Sequence, residues 1–136
     1  MKIFLITILS FITLNSYANC PISFDSTGLC AKFDWTYGPV LDERSHFKIT
    51  FWELGDIDQT EVSPEYEIDI FSWMIMGNGH SHGGPALTWN EVSPGVFESK
   101  DARFFMGRMK GSWQVKVVLK EGGVVQSEKA IDVIFE

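Results

Sequence analysis

The feature that most constrains this chain is alternation. The stretch "SWQVKVVLKE" (112–121) sets Trp113, Val115 and Val117 against Gln114 and Lys116. "HFKITFWE" (46–53) sets Phe47, Ile49 and Phe51 against His46, Lys48, Thr50 and Trp52, and "EYEIDIFSW" (65–73) sets Tyr66, Ile68 and Ile70 against Glu65, Glu67 and Asp69. A period of two places each set on one face of an extended strand, the pattern of a sheet buried on one side. Further runs of this kind are "AKFDWTY" (31–37), "ALTWNEV" (86–92), "GVFESK" (95–100) and "VVQSEKAIDVIFE" (124–136). Gly122-Gly123 and Ser93-Pro94-Gly95 mark tight turns between neighbouring runs. No stretch repeats apolar residues at i, i+3, i+4 and i+7, as a helix would require. About seven short strands with turns between them predict an all-β, immunoglobulin-like antiparallel β-sandwich. Eleven phenylalanines and five tryptophans supply bulk for its core.

The first 18 residues read differently. "MKIFLITILSFITLNSYA" has Lys2, an apolar run from Ile3 to Leu14, and the small residues Ser16 and Ala18 at its end. These are the parts of a cleaved secretory signal peptide over 1–18. The run is shorter than the ~20 apolar residues a membrane span needs. Residues 19–136 then form one domain, expected in the periplasm or secreted, with no stable membrane span after cleavage. The alternative is a lipoprotein anchored through Cys20, although Asn19 stands where the lipidation signal prefers a small residue.

Cleavage removes one of the 11 Lys and Arg and none of the 18 Asp and Glu, taking the net charge from −7 to −8. So acidic a surface excludes nucleic acid as a partner, since phosphate contacts need a basic patch. It also disfavours anionic lipid, while remaining compatible with cations. Cys20 and Cys30 close "CPISFDSTGLC", and export makes a disulfide the expected state, contributing about 2–3 kcal/mol.

Chemistry concentrates in "MIMGNGHSHGG" (74–84). Met74 and Met76 precede His80 and His82, two of the chain's three histidines, and glycines surround both. Thioether sulfur is a soft, uncharged donor that selects copper(I), whereas imidazole suits copper in either oxidation state, zinc and nickel. The mixture points to copper, Cu(I) favoured and Cu(II) possible. "FFMGRMKGSWQV" (104–115) carries Met106 and Met109, so all four methionines beyond the signal lie in these two segments. In a sandwich the two segments can meet at one end. The expected ligands are His80, His82, Met76 and Met109, with Met74 and Met106 in reserve. The alternative is that the methionines fill the core and "GNGHSHGG" is an ordinary solvated, flexible loop.

The run "IFSWMIMGNGHSHGGPAL", then "PGVFE", then "FFMGRMKGSWQVKVVL" resembles the FixH/YtkA-like family of exported or membrane-anchored β-sandwiches. The elements shared are Trp73-Met74, Met76, His80 to Gly84, Pro85, Pro94-Gly95-Val96-Phe97, and Met109-Lys110-Gly111-Ser112-Trp113, across about residues 45–120. The resemblance implies an immunoglobulin-like fold and copper handling, in some members assembly of copper-containing oxidases. The chain departs from the pattern in having Ile75 where the family has proline, an inserted Asn78-Gly79, and Phe97 in place of tyrosine.

An enzyme is not expected. Ser81 lies between the two histidines without an oxyanion-hole turn, and both cysteines are committed to the bridge. Two functions are therefore carried forward. One is an exported protein that buffers or delivers copper, exchanging it with a copper-carrying or oxidase-assembly protein. The other is a metal-free interaction module docking through exposed tryptophans, with Trp52 and Trp89 as its anchors.

Overall fold

Alternation becomes pairing in the computed structural model, which describes residues 19–106 and 110–135. Nine strands follow in order: β1 (Ile22–Phe24), β2 (Leu29–Tyr37), β3 (Arg44–Glu53), β4 (Glu67–Met76), β5 (Ser81–Gly83), β6 (Asn90–Ser93), β7 (Val96–Arg103), β8 (Gly111–Glu121) and β9 (Val124–Val133). They form a five-stranded sheet in the order β1-β2-β3-β7-β6 and a four-stranded sheet in the order β5-β4-β8-β9, with every pairing antiparallel. Without β1 this is the A-B-E-D against C′-C-F-G arrangement of an immunoglobulin-like sandwich. The signal segment and Glu136 lie outside the described residues. Among the described residues, no helix is long and apolar enough to cross a membrane.

The alternating sets meet in the middle. Phe47, Ile49 and Phe51 from β3 face Val115, Val117 and Leu119 from β8, all of them fully buried. Phe97 stands edge-on to Phe51 at 5.6 Å between ring centres, and Phe104 meets Trp113 at the same distance. Each such side chain contributes about 1.5–3 kcal/mol by leaving water, and edge-to-face rings add to that.

Two expected strands change. Of "ALTWNEV" only Asn90 onward pairs, because the Thr88 amide donates to Asp101 rather than to a strand. The strand expected over 65–73 starts later, at Glu67, and runs on through Met74 to end at Met76. Trp52 also departs from expectation. Its place in the alternation puts it on the outer face of β3, yet it is 2% exposed. It pairs opposite Cys30 and bridges to Glu61, so the loop from Leu54 to Glu61 and the N-terminal segment cover it. Asp56 holds that loop folded by accepting from the amides of Asp58 and Thr60. The Cys20–Cys30 disulfide, with Cα atoms 5.4 Å apart, ties the N-terminal segment to β2.

Candidate metal centre

β4 runs toward one end of the sandwich and turns there into β5. The turn is a tight hairpin rather than a flexible loop. Gly79 donates to the Met76 carbonyl at 3.0 Å, Met76 donates back to the His80 carbonyl at 2.7 Å, and His80 donates to Asn78 Oδ1 at 3.0 Å. Gly79 takes a φ of 88°, a conformation a side chain would strain. A three-residue loop of this form, a turn followed by a left-handed glycine, is a standard hairpin closure. Asn78-Gly79 is therefore the turn, and the pair separating Met76 from the histidines has a structural job.

The hairpin fixes the register. Ile75 pairs with Ser81 and Met74 with His82, and the Met76–His80 hydrogen bond continues the same ladder. Residues directly opposite share a face. Met74, Met76, His80 and His82 therefore belong to one face of the β4–β5 hairpin, the face that fills the core further along β4. Burial falls along that set: Met74 is 7% exposed and part of the core, Met76 is half-buried, and both histidines are exposed. The His82 ring is already oriented, since Nδ1 lies 2.8 Å from the Gly83 carbonyl. A carbonyl only accepts, so this contact is a hydrogen bond in the tautomer with Nδ1–H, which leaves the Nε2 lone pair for another partner.

The second methionine segment reaches the same rim. Gly111 pairs with Met76, the Lys110 carbonyl accepts from the Gly77 amide at 2.7 Å, and the Phe105 carbonyl accepts from Trp113 Nε1 at 3.0 Å. Phe105 is thus tied to Trp113 on β8, and Lys110 to Gly77 of the hairpin. Met106 is 41% exposed on this stretch. Met109 lies outside the described residues. Of the six candidate ligands, the structure brings Met74, Met76, His80 and His82 to one face and Met106 to the adjoining segment, with Met74 in the core.

On leaving β5 the chain crosses the core edge. Gly84 donates to the Ser72 carbonyl at 3.0 Å, and Ser72 Oγ donates to the Pro85 carbonyl at 3.2 Å. A Cβ on Gly84 would collide with Ser72 Oγ and the Trp113 ring, so no larger residue fits. Beyond it, Asp101 accepts from the Thr88 amide and hydroxyl, both at 2.8 Å, and from the Ser99 hydroxyl at 3.2 Å. Burial pushes the Asp101 carboxyl up, but the Thr88 and Ser99 hydrogen bonds and the Arg44 charge outweigh it and hold the group below its ordinary value. Sequence reasoning placed Trp113 on a core face and in the shared pattern and Gly84 in the glycine-rich run without a role for either here, and it missed Ser72 and Asp101; the Asn78-Gly79 turn carried a local signal.

Among the described residues, no three His, Cys, Asp or Glu side chains gather in a group that could hold a metal ion. A metal at this rim would therefore depend on sulfur from methionine. Two open clefts of about 500 Å³ lie elsewhere. One, lined by Leu29, Glu53, Leu54 and Tyr66, is at the opposite end of β4. The other is lined by Trp35, Pro39, Asp132 and Ile134. Trp89, the second aromatic anchor considered, is half-buried and stands against Phe97 at 5.8 Å. Comparison with protein-family models, with curated proteins and with solved structures finds no match for this chain.

Proposed function

We propose that the protein is an exported copper carrier. It takes one copper ion, Cu(I) in the first instance, at the rim formed by Met76, His80 and His82, with Met109, or Met106 in reserve, as the further thioether. It buffers the ion or passes it to a copper-exchanging or oxidase-assembly protein in the periplasm or outside the cell. One observation carries this reading: the β4–β5 register, Met74 opposite His82 and Met76 opposite His80, puts thioethers and imidazoles on one face. Soft neutral sulfur favours the monovalent ion, and imidazole retains it on oxidation. The oriented His82 ring adds support, because an imidazole whose Nδ1–H is bonded to a carbonyl presents Nε2 in fixed geometry. The net charge of −7, which the expected cleavage would take to −8, favours approach of a cation over that of an anion. The absence of a free tryptophan at position 52 weakens the metal-free docking alternative.

The test is a titration of Cu(I) against a competing chelator, wild type beside the double variant His80→Ala/His82→Ala. The expected outcome is a large loss of affinity in the variant. Equal affinity in the two proteins removes the proposal. Because imidazole binds metal only when neutral, wild-type affinity should also decline on acidification, and the variant should lose that dependence.

A further inference from the structure

The candidate donors sit on separate pieces of chain: β4, the hairpin into β5, and the Phe105–Met106 segment that follows β7. One buried side chain lies against β4, the exit of β5 and the residue before Met106. Trp113, 1% exposed on β8, lies opposite Met74 in the strand register. Its Nε1–H donates to the Phe105 carbonyl at 3.0 Å, and its ring meets those of Phe104 and Phe105 edge-on, each at 5.6 Å. Its Cζ3 and Cη2 atoms occupy the space that a Cβ on Gly84 would need, directly after the strand that bears His82.

We infer that Trp113 is the positioning residue of the copper site, locking the Met106 segment and the exit of the histidine strand into one frame. The inference rests on the copper reading above and adds what holds the chain immediately before Met106. The physical ground is the contrast between Trp113 and its partners. The ring is clamped in the core, where close packing leaves no free rotamer, while Met106 is exposed on a segment outside any strand. A hydrogen bond from a fixed, buried donor to the preceding carbonyl restrains such a segment where an exposed contact would not. Without the N–H the Phe105 carbonyl loses its partner, and the chain is released just before Met106. Groups that orient ligands in this way typically account for 10–100-fold in metal affinity.

Two variants test this. Trp113→Phe keeps a buried ring and deletes the N–H, and benzothienylalanine installed at position 113 keeps the bicyclic shape with sulfur in place of the N–H. Cu(I) alone is titrated against a competing chelator for each variant and for wild type. X-ray absorption on the loaded proteins counts sulfur neighbours, a readout that a purely structural role would not move. The expected result is about 10–100-fold weaker Cu(I) binding, fewer sulfur neighbours, and a mobile Met106 methyl signal in the copper-free isostere. A folded variant with wild-type affinity and an unchanged sulfur count overturns the inference and leaves the copper reading standing. If Trp113→Phe fails to fold, the isostere decides the matter. If wild type itself binds no Cu(I), the copper reading falls and the inference falls with it.

Discussion

Replacing Met74 separates a methionine that fills the core from one that holds metal. The side chain is 7% exposed, and its Cε lies 3.3 Å from where a Cβ on Gly111 would stand. Trp113 is its other neighbour on β8. Met74→Ala forfeits the transfer of the side chain out of water, about 1.5–3 kcal/mol, and leaves a cavity. The cavity walls are the β8 main chain, pinned by its pairing with β4, and a tryptophan ring held by its own hydrogen bond. Neither can collapse inward, so the cost belongs high in the 2–5 kcal/mol range for core Met→Ala changes, at about 4 kcal/mol. Met74→Leu nearly conserves volume and should cost less than about 1.5 kcal/mol. Urea unfolding of the copper-free protein with its disulfide intact measures both. Cu(I) affinity supplies the second axis. Met76 shares the face of Met74 but is half-buried beside the turn, so Met76→Leu should weaken binding clearly while Met74→Leu leaves it near wild type. The reasoning from burial is refuted if the two leucine variants lose Cu(I) equally, or if Met74→Ala unfolds at the wild-type midpoint.

Two further outcomes are expected. Asp101 is held below its ordinary value of 3.8, so its contribution to stability is complete above that value and disappears as pH falls through the lower folded value. Wild type should therefore lose more stability than Asp101→Asn on going from neutral pH into strong acid; parallel acid-unfolding curves would count against the Thr88–Asp101–Ser99 account. Reducing the Cys20–Cys30 bond should cost about 2–3 kcal/mol through the freed loop and expose the covered Trp52. A red shift in tryptophan emission on adding reductant, before global unfolding, reports it, and an unchanged spectrum argues that the loop from Leu54 to Glu61 covers the ring by itself.

What the sequence discloses and what it hides divide along a physical line. Phe47, Ile49 and Phe51, and Trp113, Val115 and Val117, disclose their strands because long runs repeat a period of two and the buried face has no other composition available. β5 is hidden: "SHG" has no apolar side chain, all three residues are exposed, and nothing in it asks to be a strand. It pairs because Asn78-Gly79 closes a hairpin that delivers it to β4, a turn signal legible in the sequence but read only as an interruption of the Met/His spacing. The 86–92 stretch shows the converse, a strand-like composition overruled at Thr88 by a side chain thirteen residues away. The covering of Trp52 and the Trp113–Phe105 bond likewise join distant stretches, and no local pattern encodes either.

The same register accounts for how a core face can become a donor face. Along β4 the inward residues run from Ile70 through Ser72 and Met74, all buried, to Met76, half-buried at the strand's end. Across the sheet, the inward position on β8 opposite Met74 is buried Trp113, while the inward position on β5 opposite it is exposed His82. β5 is the edge of its sheet and three residues long, so nothing further out shields that face. A methionine and a histidine are thus paired across the boundary between interior and solvent, the thioether on the dry side and the imidazole on the wet side. For a soft ion the proposed site would draw its sulfur from half-buried Met76, where that face reaches the strand's end, and its nitrogen from histidines still open to approach. Shifting the β4–β5 register by one residue would turn both histidines to the opposite face from Met74 and Met76, which is why the geometry of the Asn78-Gly79 turn matters as much to the proposed site as the donors themselves.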